Sequence, residues 1–307
     1  MKPIHRPYHD ETDYWRVREF LRAVSLLNDR RDFSWSLLRW DYWRWHIHEN
    51  IFRFNLQDAV HLWEIDGRIA AVLNADTPGE AFFQVHPALR ADAPLADMLD
   101  TAERCLAKTN EDGGKSLLVW VNEKDETAKN LYAGRGYMRS RFLAEHMRRR
   151  PYSAPVPDHM PPAGYTIRAL REDELPARSW LSWKVFHPDE PDDKYRGWEW
   201  YVNVQRVPLY RRDLDLLAVA PDGELAAFCT VWFDDANRTA DFEPVGTHPD
   251  HQKRGLGKAV MAEGLRRART LGATQASVSS YGAGAHALYD SMGFKEFDLL
   301  EPWIREF

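Results

Sequence analysis

Apolar and polar positions along this chain follow strand and helix periods, and the same order of periods occurs twice. In the first half, WEIDGRIAAVL (63–73) reads as strand, Asp-Gly turn and strand; in the second, AVAPDGELAAFC (218–229) reads the same way. Asp-Gly between apolar runs signals a hairpin, because glycine accepts the positive φ such turns demand. TADFEPVGTH (239–248) supplies the apolar and β-branched residues of a further strand. Leu256, Val260, Met261, Leu265, Ala268 and Leu271 then fall at helical spacing, with Gly272 placed to end the helix. QASVSSY (275–281) reads as a strand and AGAHALYDSM (283–292) as a short helix capped by Gly293.

The repetition is ordered. Asp66-Gly67 answers Asp222-Gly223 at an offset of 156, and Val85-His86-Pro87 answers Thr247-His248-Pro249 at 162. AKNLYAGRGY answers AHALYDSMGF, with Tyr132 matching Tyr289 at 157. Three matches in one order imply two copies of one domain. Between them PYSAPVPDHMPPAG carries prolines at 151, 155, 157, 161 and 162, a composition suited to an extended linker. The division predicted is 1–150, a linker at 151–163, and 164–307. Each copy has Trp-rich helices first, then a hairpin, a strand, a helix, a strand, a helix and a last strand. That order implies helices packed on a central sheet, an α/β (mixed α+β) layer domain.

Composition narrows the classes. The 307 residues, 44% hydrophobic and 29% charged, suit a soluble globular protein with two cores. A formal net charge of −6 argues against a nucleic-acid partner. The two cysteines, Cys105 and Cys229, are far apart, so no disulfide framework is expected and a reducing cytosol is the natural setting. No apolar run resembles a signal peptide or approaches the ~20 residues that span a bilayer, so a cytoplasmic protein without a membrane partner is expected.

Chemistry concentrates in HQKRGLGKA (251–259), where a strand hands over to a helix. The first N–H groups of a helix lack partners and carry the positive dipole end; glycines let a phosphate approach, and Lys253, Arg254 and Lys258 add charge. The plain alternative is a cationic helix start with glycines for packing. A Walker loop is excluded, since Gln252 stands five before Gly257 and Ala259 follows Lys258. The dinucleotide fingerprint also fails, with Val260 where its third glycine belongs.

Gln252-Lys-Arg-Gly255-Leu-Gly257 after VGTHP resembles the [QR]xxGx[GA] acetyl-CoA motif of the GNAT superfamily of acyltransferases, and ALYDSMGF is similar to that family's ALYxxxGF helix end. The resemblance covers about residues 164–307. It implies two tandem GNAT-like acyl-CoA N-acyltransferase domains, each with a mostly antiparallel central sheet flanked by helices. Val245, Gly246 and Thr247 would face the pantetheine arm and acetyl carbonyl along a strand splayed from its neighbour. Gln252, Lys253, Arg254, Gly255, Leu256, Gly257 and Lys258 would hold the pyrophosphate. Tyr289 would protonate the departing thiolate, a role suited to a phenol that is neutral at pH 7; the plain alternative is a core tyrosine.

The pattern also departs from the family. Gly282 stands where an Asn is common, and Ser277 where some members place a catalytic Glu on the next strand. Glu243 becomes the candidate base, against the plain reading of a solvated strand-end residue. His248 and His251 have the spacing of a metal pair, but without further ligands no metal is expected. In the first copy Arg90 replaces Gln252, Asp92 replaces Arg254, Ala93 and Leu95 replace the glycines, and Pro94 deletes an N–H, so that copy is expected to be degenerate and not to bind acetyl-CoA.

Thirteen Trp residues cluster in two places. Trp40, Trp43 and Trp45 lie in RWDYWRWHIHEN, read as a helix, with Trp35 before it; Trp198, Trp200 and Tyr201 hold the related place. Core and interface packing is the favoured reading, and an aromatic wall for a substrate the alternative. The acids of HPDEPDDKY (187–195) form a solvated loop or, over a cleft, favour a cationic amine. The resemblance thus implies acetyl transfer from acetyl-CoA to a primary amine of a small molecule. A non-catalytic acyl-CoA sensor or partner-binding module, or an acyltransferase using a longer acyl-CoA, is the alternative.

Overall fold

The computed structural model describes residues 3–90 and 94–307. In chain order the first half contains β1 (Ile4–Pro7), α1 (Glu11–Leu27), α2 (Leu37–Tyr42), a π-helical stretch (Trp43–Phe52), α3 (Leu56–Ala59), β2 (Val60–Ile65), β3 (Arg68–Asn74), β4 (Glu80–Val85), α4 (Pro94–Cys105), β5 (Lys108–Thr109), β6 (Lys115–Asn122), α5 (Glu126–Gly134), β7 (Met138–Arg139) and β8 (Glu145–Pro151). The second half contains β9 (Thr166–Ala169), α6 (Leu175–Phe186), α7 (Trp200–Gln205), β10 (Asp215–Val219), β11 (Leu225–Asp234), β12 (Thr239–Thr247), α8 (Leu256–Thr270), β13 (Gln275–Ser280), α9 (Ala283–Ser291) and β14 (Glu296–Glu306).

Two compact units result. The first comprises Met1–His146 with Asp298–Phe307, and the second Met147–Phe297. The first unit's sheet runs β1-β2-β3-β4-β6-β14, and the second's β8-β13-β12-β11-β10-β9. Both hairpins predicted from Asp-Gly are present as β2·β3 and β10·β11, with Asp66, Gly67 and Gly223 at positive φ. The pairs β4·β6 and β12·β13 are parallel, each connected through a helix (α4 and α8) as a parallel connection requires.

The boundaries differ from those expected. The sequence order assigns 298–307 to the second copy, whereas from Asp298 onward β14 belongs to the first unit and pairs with β6 from Leu300↔Asn122 to Glu306↔Ser116. Met147–Pro151 of β8 belongs to the second unit, beside β13. A closing strand needs only an open edge and a matching alternation, which both final strands offer, so chain order does not decide which edge each one fills. The proline-rich stretch is packed and is not a free linker. Tyr152 is buried in the second core and donates its N–H to Thr274 O at 2.9 Å, while Arg150 holds the carbonyls of Ala154 and Pro155.

The clustered tryptophans of the first copy serve its core. Trp35, Trp40 and Trp43 are buried, and partly buried Trp45 donates to Tyr14 Oη at 3.0 Å. Their helix changes from α to π at Trp43. Tyr201 is likewise buried: its hydroxyl donates to Asp215 at 2.6 Å, and Asp215 also binds Arg178, both side chains being fully buried. Breaking such a network leaves an uncompensated charge in the core, so it holds α6 and α7 on the sheet.

Candidate active site

The second unit opens a fork between two strands. β12 pairs with β13 at Thr239↔Gln275, Ala240↔Ala276 and Asp241↔Ser277. Beyond that point β12 continues to Thr247 and β13 to Ser280 without pairing. On its other edge β12 stays paired with β11, at Cys229↔Val245, Phe228↔Gly246 and Ala227↔Thr247. A register shift between Cys229 and Val231 leaves Glu243 and Pro244 opposite Thr230. Such a bulge bends a strand, and it lets a proline sit inside a sheet because the ladder is already interrupted there. The outer edge of Val245–Thr247 therefore faces the fork without a strand partner. Gly246 is required by packing: a Cβ there would lie 2.5 Å from Phe228 Cζ and 2.6 Å from Val185 Cγ1, so glycine lets α6 lie against the strand.

The turn behind this edge is a cradle of donors. Lys253 (φ 60) and Gly255 (φ 81) are left-handed, and α8 begins at Leu256 with no side-chain cap. Among the described residues, no N–H from Lys253 to Lys258 reaches a protein acceptor; the first bond of the helix runs from Ala259 N–H to Gly255 O at 3.1 Å. Successive amides turned inward at a helix start form an anion site. Arg254 is engaged by Tyr165 Oη (2.8 Å) and Asp250 O (3.0 Å), whereas Lys253 and Lys258 make no ion pair among the described residues. Gln252 points back, donating to Thr247 O at 3.4 Å. Gly257 brings the turn close to Thr247 Oγ1 and Leu288.

Tyr289 projects from α9 into the same core and is 7% exposed. Its hydroxyl has no hydrogen-bond partner among the described residues. Burial pushes the phenol well above its ordinary range, with Cys229 and Glu243 adding to the rise and Arg148 opposing it, so it stays protonated at neutral pH. Gly282 caps α9, and a side chain there would meet nothing within 4 Å.

Glu243 is exposed, its charge reaches Tyr289, and its carbonyl accepts from Trp232 Nε1. A second carboxylate was not foreseen. Asp241 is half-buried at the last paired position before the fork, and Ser277 Oγ donates to its Oδ1. Burial pushes Asp241 up to about 6; the Ser277 bond lowers it and the charge of Asp234 raises it further. The position searched for a base in the sequence, Ser277, thus holds one from the adjacent strand. Only the β12·β13 register reveals this. Of the two histidines, His251 Nδ1 bonds Tyr165 Oη at 2.9 Å, and no metal-binding group occurs among the described residues.

The first unit has a fork as well, where β4·β6 pairing stops after Ala81↔Val119. Its own chain enters it. Trp35 N–H donates to Gln84 Oε1 (2.7 Å), Asn122 Nδ2 to Asp32 O (3.1 Å) and Arg90 to Phe33 O (2.8 Å). The Arg90 guanidinium lies 4.3 Å from the Phe33 ring centre and 3.8 Å from Asp125. In the internal alignment Gln84 stands at Gly246 and Arg90 at Gln252, so side chains fill what the second unit leaves open. Pro94 begins α4 and Leu95 is buried; Asp92 and Ala93 lie outside the described residues. Tyr132 is 1% exposed against Phe83 and Tyr137. The matching loop of the second unit, 187–199, folds back on α6 instead. Tyr195 Oη donates to Ser179 Oγ (2.8 Å), its ring lies against Trp180 and Trp183, and Asp192 pairs with Lys184 (2.9 Å).

Comparison with known proteins agrees with this geometry. Residues 167–294 match the profile of the Acetyltransferase (GNAT) family. The mycothiol acetyltransferase of Salinispora arenicola is 30% identical over 188 residues, 58% of this chain and 59% of that protein. That of Thermobispora bispora is 27% identical over 235 residues, 73% of this chain and 75% of that protein. The chain thus spans 59% of the length of the two Salinispora relatives it matches. A tandem GNAT protein from the clavulanic acid biosynthesis pathway superposes with a TM-score of 0.68 at 15% identity, over 99% of this chain and 98% of that one. A GCN5-related N-acetyltransferase from Sphaerobacter thermophilus superposes with a TM-score of 0.67 at 16% identity, over 99% of this chain and 95% of that one. With a fork, an open amide turn and a buried tyrosine in the matched segment, residues 167–294 are a domain of the GNAT acetyltransferase family, and the chain has the fold of tandem GNAT structures.

Proposed function

We propose that the second unit transfers an acetyl group from acetyl-CoA to a primary amine of a small molecule. The observation that carries this reading is the run of open N–H groups from Lys253 to Lys258, beside the unpaired edge of Val245–Thr247. The turn amides, with Lys253 and Lys258, bind the pyrophosphate. Backbone groups of Val245–Thr247 take the place of a strand partner for the pantetheine amides and orient the carbonyl. Acetyl-CoA brings a thioester carbon open to attack and a thiolate that needs a proton. Asp241 accepts a proton from the attacking ammonium, directly or through water and Glu243. Tyr289 donates one to the leaving sulfur. Positioning and the fixed backbone dipoles supply much of the remaining acceleration.

The first unit is a degenerate copy that does not take acetyl-CoA, because residues 32–35 and Arg90 hold its fork. For the acceptor, the names of the curated relatives make a mycothiol-related amine the first to try. Free thiol would be followed on mixing the full-length chain with acetyl-CoA and a panel of amino sugars, polyamines, amino acids and mycothiol-related amines. Acceleration by one class supports the transferase. Tight CoA binding with no acceleration by any amine would return the sensor reading, and activity only with longer acyl-CoA thioesters would move the donor.

A further inference from the structure

Three consecutive arginines on β8 are buried: Arg148 is 4% exposed, Arg149 7% and Arg150 0%. Arginine is rarely buried without partners, so its partners state its task. Arg148 Nε donates to Ser280 Oγ at 3.0 Å, at the end of β13. Nη1 donates to Asp290 Oδ1 at 2.5 Å and to Phe294 O at 3.0 Å, and Nη2 to His286 Nδ1 at 3.2 Å. His286 and Asp290 stand three before and one after Tyr289 on α9. Arg150, two residues along the strand, donates to Met292 O at 2.8 Å and so closes the same helix at its C-terminal end. The charged groups that act on Tyr289 are Glu243 of β12, which favours the neutral phenol, and Arg148 of β8, the cation that favours the phenolate; Cys229 of β11, a buried neutral thiol, adds no charge at neutral pH.

We infer that Arg148 is the positioning residue of the proton donor: it fixes α9 so that Tyr289 faces the fork, and its charge stabilises the phenolate left after proton transfer. The inference rests on the reading of Tyr289 as general acid. In that step the amine nitrogen forms a bond to the thioester carbon and the C–S bond breaks, its electron pair going to sulfur. One ammonium proton passes to Asp241 before attack, the Tyr289 O–H proton passes to the leaving sulfur, and the second proton that the nitrogen loses on becoming an amide returns through water to the phenolate. Arg148 touches none of the reacting atoms. It acts through α9 and through its field, which a guanidinium with four fixed partners delivers from one direction. It also lies on the strand that chain order gives to the first copy, so the second copy as drawn at 164–307 lacks it.

The test uses the full chain with Arg148→Met, Arg148→Lys, Tyr289→Phe and the double variant Arg148→Met/Tyr289→Phe. Thiol release is measured with the best amine of the panel and, as a second probe, with acetyl-CoA and water alone. Arg148→Met should slow release about 10-fold or more while the Kd for CoA stays within about 3-fold. The double variant should be no slower than Tyr289→Phe, because both changes remove one function. Hydrogen exchange should rise across residues 283–291 and not in α8. Arg148→Lys keeps the charge and loses the fork, so it should recover part of the rate; it carries the test if the Met variant does not fold. Multiplying effects in the double variant, or an unchanged rate in Arg148→Met beside a slowed Tyr289→Phe, would overturn the inference alone. An unchanged rate in Tyr289→Phe would overturn the acid reading, and this inference with it.

Discussion

Replacing Asp241 by Asn should make the protein more stable and less active at once. The carboxyl rises from 3.8 to about 6 on folding, chiefly through burial, so holding it ionised at neutral pH costs up to about 3 kcal/mol. Because Asp241 is half-buried, water screens part of this, and about 1–2 kcal/mol is the expected gain for Asn, which still accepts from Ser277. The sign follows from proton binding. Below pH 3.8 the carboxyl is protonated in both folded and unfolded chains, and it contributes no difference. Between 3.8 and about 6 the folded chain holds the proton more tightly, so stability attributable to this group falls as pH rises, and above about 6 the full cost remains. Urea unfolding at pH 7.5 and pH 4 measures the effect: the advantage of Asp241→Asn over the parent should be present at the first and nearly absent at the second. Thiol release should fall about 100-fold or more, with CoA affinity preserved. A variant less stable than the parent at pH 7.5, or equally displaced at both pH values, would refute the argument from burial. An unchanged rate would return the base role to Glu243.

Other outcomes follow from the same geometry. Tyr289→Phe should reduce turnover by about 100-fold with CoA binding intact, and equal loss of both by calorimetry would mean a structural residue. The rate at saturating substrate should rise through about pH 6, as Asp241 ionises, with no fall up to pH 10, since burial keeps Tyr289 protonated there; stopped-flow thiol detection across that range checks it. CoA should titrate to one equivalent per chain, and a second equivalent would show that residues 32–35 do not hold the first fork closed. Gly246→Ala should cost about 1–3 kcal/mol in denaturant unfolding, because the new methyl meets both Phe228 and Val185.

Much of this was legible locally. Hairpins at Asp66-Gly67 and Asp222-Gly223 and the helix of Leu256–Thr270 follow from turn chemistry and periodicity, which involve residues only a few positions apart. The duplication was legible too, since offsets of 156, 162 and 157 are properties of the string. The replacements at Arg90 and Pro94 that set the first copy's turn apart are likewise properties of the string. Trp40 and Trp43 were assigned correctly to a core, although no pattern announced that their helix would widen to a π-helix.

Tertiary structure decided the rest, wherever partners lie far apart in sequence. That β14 from Asp298 completes the first unit, and that β8 stands beside β13, depends on which sheet edge is open. Asp241 looked like an ordinary strand residue; burial in the folded sheet, against the lowering bond from Ser277 that the parallel register sets beside it, gives it a raised pKa. The closed first fork came from residues 32–35, about fifty positions from the strand they touch. The sequence by itself determined the elements, their duplication and the open amides of one turn, because these depend on local dihedrals and hydrogen bonds. Which strand closes each sheet, which carboxylate is buried and which fork stays open were decided by long-range packing, where burial and pairing are set by residues that composition and periodicity cannot bring together.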